Sequence, residues 1–155
     1  MTVLSKRPTL LLVAGAVMGI AAVGAALVSQ HVFGMEPCPW CILQRVIFLA
    51  ITLACLMGLA IRRLGAALVM LLSLCGIAAA LWQHFKAAAS SSCAMTVADQ
   101  IVIAMKLDSL WPDVFLARAS CADAAVSLFG IPYDFYSLAL FVLTGVLGWL
   151  VWQRR

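Results

Sequence analysis

The chain has 155 residues, 66% of them hydrophobic and 10% charged, with a net charge of +4 and a mean hydropathy of +1.13. A soluble domain of this size carries about 25% charged residues, so water is excluded as the main solvent and one small membrane domain is implied. The positive charge is no nucleic-acid signal, because most basic residues stand in pairs at the ends of apolar runs, as topology signals do.

In chain order the first charge-free run is Pro8 to Gln30, following Lys6 and Arg7. It predicts a transmembrane helix at about 9–30. It is too long for the h-region of a signal peptide, which is about 7–15 residues. Gly15 and Gly19 form a G-x-x-x-G pair, which suits close helix packing. A short loop at about 31–41 carries "MEPCPWCILQR", with Cys38 and Cys41 at C-x-x-C spacing. Pro39 suits the first turn of a helix, so the second helix starts around Cys38 to Trp40. Its membrane span is about 42–61. Cys41 then lies in the first turn, where the helix dipole favours a thiolate. Arg45 lies on the same face one turn deeper. An arginine in a membrane helix costs about 2.5–3.5 kcal/mol at the centre and marks a functional position; as a plain anchor it would snorkel to the headgroups.

Arg62 and Arg63 fill the turn before a third helix at about 64–83. The long loop at about 84–134 follows. Thr96 and Asp99 have capping-box spacing ahead of "QIVIAMKL". Ile101, Val102 and Met105 would share a face, which reads as a short helix on the membrane surface. Trp111, Pro112 and Phe115 would anchor the return segment at the headgroups. A fourth helix at about 135–152 ends in Arg154 and Arg155. The fold class is therefore an all-α four-transmembrane-helix bundle with two outside loops, bathed in membrane lipid. Six of the ten basic residues fall on one side of this path and all six acids on the other. The positive-inside rule puts both termini in the cytoplasm.

Four of the six cysteines (Cys38, Cys41, Cys93 and Cys121) then lie in the outside loops, where disulfides persist. Cys55 and Cys75 are mid-span and read as packing residues. A C-x-x-C alone is ambiguous between zinc and dithiol chemistry. Cys93 and Cys121 have 27 residues between them, so there is only one tight knuckle and no metal site is expected. A static bridge across C-x-x-C constrains little chain, because the entropic effect grows with loop size. Redox chemistry is the better use. A thiolate at the lipid boundary suits a lipid-soluble electron acceptor; a quinone carbonyl accepting from Arg45, with Trp40 or Phe48 against the ring, would satisfy that placement.

"SQHVFGMEPCPWCILQR", "LWQHF", "LDSLWPDVFLARASC" and "FGIPYDFYSLAL" together resemble the DsbB family, the inner-membrane thiol oxidases of Gram-negative bacteria. The resemblance runs in order along nearly the whole chain. It implies a protein-dithiol:quinone oxidoreductase, with its active-site loops in the periplasm, that reoxidises a DsbA-type dithiol oxidase and passes the electrons to the quinone pool, ubiquinone or menaquinone. It implies roles residue by residue. Cys41 contacts the quinone. Cys38 is its partner and the link to the second loop. Cys93 is attacked by reduced DsbA, and Cys121 pairs with Cys93 and then exchanges with the first pair. Arg45 supports the quinone and the thiolate, and His84 matches a histidine near the quinone. His31 is given no catalytic role. Gln44 stands where some members carry an acid, and no role is assigned to it. Two other readings compete: a redox enzyme resembling vitamin K epoxide reductase, whose C-x-x-C is expected at a later helix, and a non-enzymatic membrane adaptor with structural loop disulfides.

Overall fold

The computed structural model describes residues 3–87 and 96–153. Cys93, Arg154 and Arg155 lie outside the described residues. Four long helices dominate: α1 (Val3–His31), α2 (Pro39–Ala60), α3 (Arg62–Trp82, continued by a π-turn over Gln83–Ala87) and α7 (Tyr133–Gln153). Each contains a membrane-length apolar span of 21–26 residues, against the roughly 20 that a bilayer core requires. The chain is thus a multi-pass membrane protein with an all-α four-helix bundle.

Small residues set the helix spacing. A Cβ on Gly15 would come within 2.9 Å of the Cys55 sulfur, and one on Gly19 would strike the Thr52 hydroxyl. These contacts press α1 onto α2. Gly76 likewise leaves room for the Phe141 ring, which stacks on Phe48 with centroids 4.1 Å apart and planes 4° from parallel. Phe48, Ile51, Ala54 and Cys55 from α2 meet Leu12, Val69 and Phe141 from the other three helices in one buried core. Cys75 departs from expectation. It is exposed on the outer side of α3, whereas Cys55 is buried as a packing residue.

Three short helices follow Thr96: α4 (Val97–Ala104), α5 (Leu107–Leu110) and α6 (Pro112–Phe115). The expected capping box is formed: the Thr96 hydroxyl accepts from the Asp99 N–H and the Asp99 carboxylate accepts from the Thr96 N–H. The expected common face is split, however. Ala98 and Val102 are buried, with Val102 packed against Ile42 and Phe115, while Val97, Ile101 and Met105 point outwards. Phe115 is therefore a core residue and not a headgroup anchor; Leu110, Trp111 and Leu116 are exposed apolar side chains there. A two-residue antiparallel ladder, β1 (Ser127–Leu128) with β2 (Ile131–Pro132), was not expected from the sequence. Its turn has Phe129 at φ 53° and Gly130 at φ 80°, the double left-handed pattern of a type I′ hairpin. The hairpin delivers the chain into α7.

Candidate active site

Cys38 is the N-cap of α2. Its backbone is extended and Pro39 takes the first helical position, where the missing N–H is no loss. The first-turn N–H groups have no partner within the helix, and sulfurs take their place. The Cys41 N–H donates to the Cys38 sulfur at 3.3 Å. The Trp40 N–H donates to the Cys121 sulfur. The Cys38 and Cys41 sulfurs are 2.9 Å apart, and Cys38 also bonds to Cys121. Cys38 is fully buried between the two. The backbone holds this junction together: the Arg118 and Ala119 N–H groups both donate to the Pro37 carbonyl, at 3.1 and 3.4 Å. The second loop is thereby fixed one residue before Cys38, two residues ahead of Cys121.

The electrostatics separate the two thiols outside the membrane span. Cys38 is pushed far above the ordinary thiol range, first because it donates to the Cys121 sulfur, then because it bonds to Cys41 and is buried. Cys121 is held below that range, chiefly by accepting from Cys38 and further by the Trp40 N–H, against the opposing effect of burial. The thiolate is the reactive form. In the reduced protein, alkylation of Cys121 therefore begins at a pH below that of a free thiol. Cys38 stays unlabelled until well above it. Peptide mapping after brief iodoacetamide pulses across pH checks this; equal labelling profiles would contradict the asymmetry.

Beside Cys41 lies a cavity of about 280 Å³. Ala22, Ala26, Phe48 and Leu140 make it largely apolar, and Cys41, Gln44, Arg45, Gln83, Tyr133 and Asp134 bring polar atoms to it. Phe48 reaches it as expected. Trp40 does not line it; its ring pairs with Trp82, centroids 6.4 Å apart.

Arg45 is 5% exposed. One terminal nitrogen donates to the Gln30 side chain and to the Val114 carbonyl, each at 2.8 Å, and the other to the Ala26 carbonyl at 3.3 Å. Hydrogen bonds to a charged group contribute about 1.5–3 kcal/mol each, so three of them offset an insertion cost of about 2.5–3.5 kcal/mol. This is an internal clamp and not a snorkelling anchor. Its Nε is buried with no partner, an unsatisfied donor on a side chain that lines the cavity.

His84 lies in the π-turn, and it does not line the cavity. Its Nδ1 is 3.2 Å from Asp134 Oδ2, and its ring packs on Phe85 and Phe135. Asp134 bridges it to the site. Asp134 Oδ1 accepts from Gln83 at 2.9 Å, Gln83 also donates to the Cys41 sulfur at 3.4 Å, and Gln44 donates to Gln83 at 2.8 Å. Gln30, Gln83 and Asp134 were not singled out from sequence. Asp134 carried a usable signal: it is a lone acid opening an apolar run, and ionisable residues within membrane helices mark function by default.

A family profile described as disulfide bond formation protein DsbB matches residues 6–151. The chain belongs to the DsbB family. It is 36% identical over 149 residues to disulfide bond formation protein B of Pseudomonas syringae pv. tomato, covering 92% of this chain and 88% of that one. The protein of the same name from Herminiimonas arsenicoxydans is 34% identical over 145 residues, 90% of each chain. Disulfide bond formation protein B 1 of Pseudomonas aeruginosa is 33% identical over 132 residues, covering 79% of this chain and 81% of that one. DsbB membership makes this multi-pass protein a disulfide-forming oxidoreductase.

Proposed function

We propose that the protein reoxidises a DsbA-type periplasmic dithiol oxidase and passes the electrons to membrane quinone. The observation that carries this reading is the position of Cys38, a free thiol hydrogen-bonded to Cys121 on one side and Cys41 on the other, with Cys41 lining an apolar cavity. Cys121 belongs to the loop exchanging with the soluble partner. Cys38 relays between loop and helix. Cys41 faces the acceptor. Cys93, the partner of Cys121 on this reading, receives the attack of reduced DsbA.

The cavity residues fit a quinone. Phe48 and Leu140 supply apolar walls, and the unpartnered Arg45 Nε supplies a donor for a carbonyl. When bound, a quinone supplies a two-electron, two-proton sink. The need for such a sink is energetic. DsbA-type oxidases sit near −120 mV, where ordinary disulfides cannot reoxidise them, and each ~30 mV of mismatch costs about 1.4 kcal/mol. The chain's own residues exclude water, hold the carbonyl and keep the sulfurs in exchange order. The orientation that goes with this function puts both termini in the cytoplasm and the two cysteine loops in the periplasm of a bacterial inner membrane. It follows from Lys6, Arg7, Arg62, Arg63, Arg154 and Arg155.

The test mixes purified protein with reduced DsbA-type partner and either ubiquinone or menaquinone, and follows partner thiols. Loss of thiols that requires both the protein and quinone is expected. Loss that is independent of quinone would overturn the reading.

A further inference from the structure

Asp134 lies in the first turn of α7, straight after the hairpin, and lines the cavity while only 6% exposed. Its two oxygens have different partners. Oδ1 accepts from Gln83, and Oδ2 meets His84 Nδ1. Gln83 is saturated: its amide nitrogen donates to Asp134 and to Cys41, and its oxygen accepts from Gln44. The carboxyl group is therefore held in place at the cavity wall. His84 stands behind it, outside the cavity, with its side chain 30% exposed. One titratable group is partly exposed at the outer end of α3, the next faces the cavity, and they touch.

Among the described residues, the other charged or titratable groups at the cavity lack the histidine contact that Asp134 has. From the first loop, Glu36 is exposed. From α2, the Arg45 guanidinium does not release its protons, and Cys41 is a reacting sulfur. From α7, the Tyr136 hydroxyl is committed to the Leu128 carbonyl at 2.8 Å, and the Tyr133 hydroxyl points to Ser29 at 3.5 Å. The lining residues of α1 and of the second loop carry no titratable group.

We propose that His84 and Asp134 form a proton relay from the outer aqueous face to the cavity. This rests on the quinone reading above. Closure of the Cys38–Cys41 bond removes two electrons and releases two thiol protons. Quinone takes up two electrons and two protons. His84 accepts a proton from water and passes one from Nδ1 to Asp134 Oδ2. The Asp134 carboxylic acid delivers it to the acceptor oxygen and returns to the carboxylate. A second passage supplies the second proton, so the protons released and consumed balance.

The test uses the full chain in lipid with quinone and reduced partner. Positioned acid–base groups contribute about 10²–10⁴-fold. Asp134→Asn keeps the side-chain shape but cannot carry a proton. It is expected to slow quinone-dependent thiol oxidation about a hundredfold, with Asp134→Glu regaining at least a tenth of the rate. His84→Ala is expected to slow the reaction most at high pH and to be rescued by added imidazole. A second readout needs no quinone: the infrared carboxyl band lost in Asp134→Asn should change frequency in His84→Ala, which removes the hydrogen-bond partner of Oδ2. Wild-type turnover with equal rates in Asp134→Asn, loss of rate without rescue by glutamate or imidazole, or a carboxyl band absent or unmoved would each overturn the relay. Absence of quinone-dependent turnover in the wild type would overturn the quinone reading instead.

Discussion

Cys41→Ser loses quinone-dependent thiol oxidation by about a thousandfold or more, the scale expected when a reacting nucleophile is removed. The reason is positional. Among the described cysteines Cys41 lines the cavity, while Cys38 and Cys121 do not. Serine fits the space and keeps a hydrogen-bonding atom near Gln83, so the bundle stays intact. Its hydroxyl neither forms a disulfide nor transfers electrons. The Cys121 side of the junction is untouched, and Cys38 remains available for exchange with it. The measurement is single-turnover quinone reduction beside a thiol assay of the soluble partner. Full quinone turnover in the serine variant would remove Cys41 from the electron path and transfer that role to another sulfur.

Arg45→Ala raises the quinone concentration needed for half-maximal rate by roughly 10- to 100-fold. That matches the loss of one hydrogen bond from a charged donor, about 1.5–3 kcal/mol. The Nε without a partner is the atom at issue. Alanine also releases the clamp on Gln30, Ala26 and Val114, so thermal inactivation is followed in parallel. Arg45→Lys keeps the positive charge but lacks the planar fork. It recovers part of the affinity if charge alone attracts the carbonyl, and little if the guanidinium geometry is required. An unchanged quinone dependence in both variants would leave Arg45 as a structural clamp only.

The sequence made some of this legible and concealed the rest for identifiable reasons. Apolar run length and paired basic residues exposed four spans, and Pro39 marked the start of α2. Thr96 and Asp99 formed their capping box because that motif is local, four residues long. The Gln30–Arg45–Val114 clamp and the His84–Asp134–Gln83 chain join residues that are distant in sequence, and no local pattern encodes them. The outward turn of Cys75 was also hidden. A membrane helix is apolar all round, so hydrophobic periodicity does not say which face turns inwards. The hairpin escaped because Phe129, a bulky residue, adopts a positive φ that sequence reasoning reserves for glycine or asparagine.

The attachment at Pro37 bears on how freely the protein can diversify. Both donors, at Arg118 and Ala119, are main-chain groups, and every residue type except proline supplies one. On the proposed function, the side chains around position 118 can therefore drift to suit different soluble partners while the meeting of Cys38 and Cys121 is preserved. Recognition and electron transfer are separately adjustable here, and a proline at 118 or 119 is the substitution that would couple them.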